Sequence, residues 1–257
     1  AMDLQIRDRF YVVTGASSGI GRSTVSRLTT EGARVLAVAR DTARLEALAK
    51  EMPAGSVTPH TADLTAADAA AKIVEHANAV SGGGIDGLLN AAGILRGDTI
   101  TGATDEAFEA HLAINLRAPM RLIRAAASSL AARKGAVVNI SSVAGVRAFP
   151  NLLSYCVSKA AVEQLTLCAA LDLAPQGVRV NAVSPGVVVT ELHRRGGMAD
   201  DAYAAFLERS RTTHPLGRVG QPSEVADLIV FLLSPVSGWT TGVIVPIDGG
   251  RSQTCNR

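Results

Sequence analysis

Apolar residues along this chain fall into short unbroken runs, separated by longer stretches in which they recur every three or four positions. The runs occupy 10–14, 34–39, 57–61, 87–90, 136–140, 178–183 and 243–247, and most read as continuous Val, Ile, Leu and Ala. An unbroken apolar run suits a strand covered on both faces, whereas a half-exposed strand alternates. The stretches 19–31, 42–51, 66–80, 104–131, 153–174 and 222–234 carry the helical period. Strand then helix, repeated, predicts right-handed crossovers and a parallel sheet. The fold class expected is α/β: one domain over 1–257, a doubly wound sheet of about seven parallel strands with helices on both faces. A (β/α)₈ barrel is the competing arrangement. It wants eight near-equivalent units and gives no reason for a glycine cluster at the first turn.

Two of the helical stretches break the amphipathic rule. Residues 108–132 and 153–174 are rich in Ala and Leu on nearly every face. In the second, Ala161, Val162, Leu165, Leu167, Cys168, Leu171 and Leu173 cannot share one narrow stripe. A helix apolar all round wants a second burial partner, which predicts a symmetric oligomer, a homotetramer or a homodimer. A thickly covered monomer is the alternative.

Bulk composition removes several function classes. The 257 residues are 47% hydrophobic with a formal net charge of +2. That supports one sizeable core and argues against nucleic acid or an anionic membrane as partner. Three cysteines, Cys156, Cys168 and Cys255, are too few and too widely spaced for a disulfide framework or a structural zinc site. Cys156 and Cys168 read as buried small hydrophobes and Cys255 as a tail thiol. No basic stretch leads into a long apolar run, so a cytoplasmic location is expected. His60, His76, His111 and His214 lack metal-ligand spacing, so no metal is expected.

The first strand runs into Thr14-Gly15-Ala16-Ser17-Ser18-Gly19-Ile20-Gly21, and a helix follows. Strand, glycine loop and helix N-terminus form an anion cradle, because free backbone N–H groups and the helix dipole face the same point. A dinucleotide pyrophosphate fits it. At the end of the second strand an NAD site offers Asp or Glu to the ribose 2′-hydroxyl. This chain has Ala39-Arg40. A small residue and a guanidinium leave room for a 2′-phosphate and supply its partner, so NADP(H) is expected over NAD(H).

Tyr155 and Lys159 stand four apart at a helix start and so share one face. A phenol of ordinary pKa, about 10, is a poor acid or base at neutral pH. A neighbouring ammonium favours the phenolate and is expected to bring that pKa toward the working range. Ser141 and Ser142 follow the strand at 136–140, at the carboxyl edge where α/β sheets bind ligands. A hydroxyl there can hold a substrate oxygen.

The chain from about Phe10 to Gly250 resembles the short-chain dehydrogenase/reductase family, whose fold is of the Rossmann type. The resemblance rests on Thr14 to Gly21, Asp63-Leu64, Asn90-Ala91-Ala92-Gly93, Asn115 and Ser142. It continues through Tyr155-x₃-Lys159, Pro185-Gly186-Val187-Val188-Val189-Thr190 and Asp248-Gly249-Gly250. It implies that Tyr155 is the catalytic acid/base, that Lys159 lowers its pKa and holds the nicotinamide ribose, and that Ser142 orients substrate. Asn115 matches a residue that props a proton-relay water. Gly15, Ser17, Ser18, Gly19, Ile20 and Gly21 would hold pyrophosphate. Asp63 and Leu64 would meet adenine, and Asn90, Ala91 and Gly93 would flank the adenosine ribose and the central sheet. Pro185, Gly186, the Val188 backbone and the Thr190 hydroxyl would line the nicotinamide. The family usually has Asn at position 91, so Ala91 is a departure that could loosen hydrogen bonding in that loop.

Residues 191–213 read as a substrate-covering loop with a short polar helix at 199–211. His193, Arg194 or Arg195 could meet an anionic substrate group; a solvated loop or an oligomer contact is the favoured reading. The stretch 143–152, with Phe149, forms another wall. Trp239 is expected in packing or an oligomer contact. The function expected is a reductase or dehydrogenase acting on a carbonyl or secondary alcohol. A nucleotide-binding scaffold or redox sensor is the alternative, and an epimerase or dehydratase fits the complete residue set less well.

Overall fold

The computed structural model describes residues 2–254. Seven parallel strands form one sheet: β1 (Phe10–Thr14), β2 (Arg34–Ala39), β3 (Val57–Thr61), β4 (Gly87–Asn90), β5 (Ala136–Ile140), β6 (Arg179–Pro185) and β7 (Ile244–Ile247). Their order is β3-β2-β1-β4-β5-β6-β7. The chain therefore leaves β1 in one direction and returns to its other side at β4. That reversal opens a crevice at the carboxyl ends of β1 and β4, where ligands of such sheets bind.

The burial of each strand follows its place. β1 and β4 lie inside the sheet and every residue of both is buried. β3 lies at the edge, and its Val-Thr-Pro-His-Thr sequence is only partly buried. Pro59 is tolerated there because an edge strand has one side free of ladder hydrogen bonds. On one face, α1 (Gly19–Thr30) and α2 (Thr42–Glu51) bury Val25, Leu28, Leu45 and Leu48, and α9 (Pro222–Leu233), packed on α1, β5 and β6, buries Val225 and Ile229. On the other, α3 (Ala69–Ser81), α5 (Ala118–Arg133) and α6 (Leu153–Leu173) bury Ile73, Leu122, Ala126, Leu130 and Ala169. Two separate cores on opposite faces of one sheet are what a doubly wound fold requires.

The expected helix over 104–131 is interrupted. It divides into α4 (Asp105–Leu112), a π-helical turn at Ala113–Arg117, and α5. Hydrophobic period does not reveal this wide turn, because at five residues it is too short to show a period of its own. β6 runs on to Pro185, two residues beyond the expected end, since Ser184 and Pro185 pair with Pro246 and Ile247 of β7. Between β6 and α9 lie α7 (Leu192–Arg195) and α8 (Asp200–Thr213).

Some placements differ from expectation. Cys168 is exposed on α6 and Cys156 is half-buried, so neither is a core residue; Cys255 lies outside the described residues. Trp239 is fully exposed, so of its two expected roles packing within the described residues is not the one it takes. Among the described residues no helix is long and apolar enough to cross a membrane, and no cluster of His, Cys, Asp or Glu could hold a metal ion.

Candidate active site

The glycine loop is built by close packing. Gly15 has φ +66°, and a Cβ there would stand 2.8 Å from the Ala91–Ala92 backbone. A Cβ on Gly21 would meet the Gly15 carbonyl. Only glycine allows loop, helix and β4 to approach this closely. Ser18 precedes α1, yet its side chain makes no capping bond, which leaves the first N–H groups of the helix for an anion. At Ala91 the loop is held by its backbone. The Thr14 hydroxyl accepts from the N–H of Ala91 at 3.1 Å and of Ala92 at 3.4 Å.

A cleft of about 730 Å³ runs along the sheet's carboxyl edge from this loop. It is lined by Gly15, Ser17, Ser18, Gly19, Ile20, Gly21, Arg40, Asp63 and Leu64 at one end. Ala91, Gly93, Ser142, Tyr155, Lys159, Pro185, Gly186, Val188 and Thr190 line the rest. Residues scattered over most of the chain thus meet in one groove. A long groove with a phosphate cradle at the first turn fits a dinucleotide.

Arg40 is exposed and faces the cleft. Asp41 is occupied elsewhere: it caps α2 by accepting from the Arg44 N–H at 3.0 Å and pairs with the Arg44 guanidinium. Asp63 accepts from the N–H and hydroxyl of Thr65, which with nearby Arg40 hold its carboxyl below the ordinary value.

Asn90 and Asn115 do not line the cleft. Asn90 is buried and donates to Asn139 at 2.8 Å, tying β4 to β5. Asn115 sits in the π-helical turn and spends its amide on the Ile94 N–H, the Ile94 carbonyl and the Ser158 hydroxyl, each within 3.0 Å. It links the loop after β4 to α6. Gly93 lies between it and Lys159: a Cβ there would stand 3.3 Å from Asn115 Oδ1 and 3.9 Å from Lys159 Nζ.

α6 carries the reactive pair. Asp98 accepts from both the N–H and the hydroxyl of Ser154, fixing the helix start beside Tyr155. Lys159 Nζ donates to the Ile140 carbonyl at 2.7 Å and lies 5.6 Å from the centre of the Tyr155 ring. Burial pushes the Tyr155 phenol up to about 12, while the Ser142 hydroxyl pulls it back down. Burial is the largest cause, because it disfavours the phenolate, and Lys159 is not among the groups that shift the phenol. Burial also lowers Lys159 to about 8, with Glu163 opposing. The pair is a held phenol beside an amine that exchanges protons near neutral pH.

Several supporting residues carry no sequence signal. Glu163 is buried one turn beyond Lys159 and accepts from Ser141 at 2.6 Å. Its carboxylate packs against Gly145, in the turn that begins at Ser142. Burial raises its pKa, while Ser141 and Lys159 lower it. The Tyr203 hydroxyl of α8 donates to the Thr190 carbonyl at 2.8 Å and accepts from its N–H at 3.1 Å. His214 accepts from the Val187 N–H at 3.1 Å and contacts the Ser210 carbonyl through Nδ1 at 2.6 Å. These two residues pin the segment 187–190. The aromatics Tyr203 and Phe206 in the polar stretch 199–211 are a hint of the first.

The covering segment is more ordered than a solvated loop. His193 is half-buried and packs on Phe206, with ring centres 4.6 Å apart; burial lowers its pKa. Arg195 pairs with Glu191, which also takes Arg44 at 2.8 Å. Arg194 lies over the Tyr203 ring at 4.6 Å and pairs with Asp200.

A family model described as enoyl-(acyl carrier protein) reductase matches residues 15–252. L-xylulose reductase of Mus musculus is 39% identical over 98% of this chain and all of that protein. A 3-oxoacyl-[acyl-carrier-protein] reductase of Thermotoga maritima is 34% identical over 96% of this chain and 99% of its own. Among solved structures, a short-chain dehydrogenase/reductase of Caenorhabditis elegans with cofactor superposes with a TM-score of 0.90 at 34% identity, covering 97% of each chain.

Proposed function

Because the chain belongs to the short-chain dehydrogenase/reductase family, an oxidoreductase family using a nicotinamide cofactor, we propose that it is an NADP(H)-dependent reductase of a small carbonyl compound. The observation that carries this reading is the meeting of Ser142, Tyr155 and Lys159 in a cleft whose other end is the glycine loop and uncapped α1. L-xylulose reductases and a D-erythrulose reductase among the relatives support a short hydroxyketone as the substrate type.

Gly15 to Gly21 hold the pyrophosphate, Asp63 and Leu64 the adenine side, and Pro185 to Thr190 the nicotinamide side. When bound, the reduced cofactor supplies the hydride for the carbonyl carbon. Ser142 donates a hydrogen bond to the carbonyl oxygen and fixes its direction. Tyr155, held protonated by its burial, gives its phenolic proton to that oxygen. Lys159, with its pKa near 8, returns a proton to Tyr155. Asn115 acts behind them by holding the Ile94 loop to α6 and so fixing the floor under Lys159.

The preference for NADP(H) rests on Arg40, because Asp41 turns into α2 and the other acid near Arg40, Asp63, is held by Thr65. Residues 191–213 cover the substrate. A homotetramer or homodimer is supported by the outer face of α6, where Val157 is 40% and Leu171 77% exposed. Free thiols at Cys156 and Cys168 suit the cytoplasm.

The test is oxidation of NADPH, followed by absorbance, over a panel of ketoses, diketones, quinones and 3-oxoacyl thioesters. Turnover of at least one carbonyl supports the reading. Tight NADPH binding without turnover of any would favour a nucleotide-binding scaffold or redox sensor.

A further inference from the structure

We infer that the substrate carries an anionic group, a carboxylate or a phosphate ester, which Arg251 and Arg209 meet at the mouth of the cleft while its carbonyl lies at Tyr155. This rests on the reductase reading above and adds a charge to the substrate.

The acids lining the cleft are Asp63 and Glu191. Asp63 belongs to the end near Arg40 and is held by Thr65. Glu191 is taken by Arg44 and Arg195. Apart from Arg40, Arg195 and Lys159, the charged residues left in the lining are Arg209 on α8 and Arg251 just after β7. Neither arginine has an ion-pair partner among the described residues.

Arg251 is tied to the Tyr155 side of the cleft. Its guanidinium lies 5.2 Å from the centre of the Phe149 ring, in the wall that leads into α6. A guanidinium offers five N–H donors. The contact Arg251 makes with them among the described residues is to the Thr213 carbonyl, at 3.4 Å. Next to it stands a second guanidinium, Arg147, which donates to the Arg251 carbonyl at 2.7 Å. Asp248 is near, but its oxygens accept from the Gly250 N–H at 2.9 Å and the Ser252 N–H at 2.7 Å. Burial and Arg147 both lower the Arg251 pKa, against the opposing pull of Asp248.

Half-buried, under-bonded and beside a like charge, Arg251 is a costly arrangement unless something completes it. A planar guanidinium stacked on an aromatic ring presents its free edge for bidentate bonding to a carboxylate or phosphate. Arg209, exposed across the mouth, adds attraction at longer range. Phe149 and Leu152 add apolar wall to the same cleft as Tyr155. The ligand that fits is a short carbonyl compound charged at the end remote from the reacting carbon.

The experiment is steady-state reduction of matched pairs: a 3-oxo carboxylate against its methyl ester, and a ketose phosphate against L-xylulose. In the wild type, kcat/KM for at least one anion exceeds that of its neutral partner by about ten-fold or more, the scale of a charge-assisted pair. The better anion identifies the group as carboxylate or phosphate. Arg251→Met collapses that anion-to-neutral ratio through KM, and Arg251→Lys restores part of it. Arg209→Met, a surface change that leaves folding intact, lowers the same ratio less and makes it less sensitive to salt. Neutral partners reduced as well as the anions, or a ratio that Arg251→Met leaves alone, would overturn the inference while leaving the reductase intact. Absence of turnover with every carbonyl would instead overturn the reductase reading, and this one with it.

Discussion

Arg40 and Lys159 show how single side chains set the chemistry. Arg40 is not committed to a carboxylate of its own strand end, because Asp41 caps α2. Arg40→Ala should raise the Kd for NADPH ten-fold or more, about 1.4 kcal/mol, and leave that for NADH nearly unchanged. Titration of both cofactors checks it, and an unaltered NADPH to NADH ratio would refute the assignment. Lys159 makes a prediction for folding itself. Its folded pKa, about 8, lies below the ordinary 10.5, so in that window the unfolded chain binds more protons than the folded one. Stability therefore rises with pH across the window as the cost of a buried ammonium is relieved. Lys159→Met should flatten that rise in denaturant midpoints measured from neutral pH to the alkaline side; an equal rise in the mutant contradicts the burial argument. The reactive residues were legible in the sequence because their spacing is local: Tyr155 and Lys159 share a helix turn and Ser142 lies two residues past the end of β5. Glu163, Tyr203, His214 and Arg251 were not, because each acts on a residue distant in the chain or through a turn whose path the sequence does not specify.

Among the elements, the strands were read nearly residue for residue, since burial on both faces leaves unbroken apolar runs. The π-helical turn was missed, and it places Asn115 where its amide can bridge the Ile94 loop and Ser158. The segment between β6 and α9 was read as a substrate-covering loop with a short helix. Its base is anchored, with Tyr203 bridging both backbone groups of Thr190. Tyr203→Phe removes those bonds at a net cost of about 1 kcal/mol. In a chain of this size that lowers Tm by roughly 2–4 °C. Because Thr190 lines the cleft, the same mutant should bind NADPH more weakly. A loss of Tm with no change in Kd would mean that the anchor serves folding alone.

For the whole molecule, two buried faces complete the sheet, yet α6 still presents Val157 and Leu171 outward, and Trp239 stands fully exposed. The proposed assembly would cover that apolar helix face. Sedimentation at micromolar concentration should give a tetramer or a dimer, and Leu171→Asp should shift it toward smaller species; a strict monomer would contradict the assembly. The central claim concerns the cleft, where one tyrosine supplies the proton that accompanies hydride transfer. The most direct measurement compares NADPH oxidation by wild type and Tyr155→Phe with the best carbonyl of the panel, alongside the NADPH Kd of each. Turnover should fall by about 10²–10⁴-fold, the usual worth of a positioned general acid, with Kd nearly unchanged. A Tyr155→Phe enzyme that reduces the carbonyl at the wild-type rate would show that the proton comes from elsewhere.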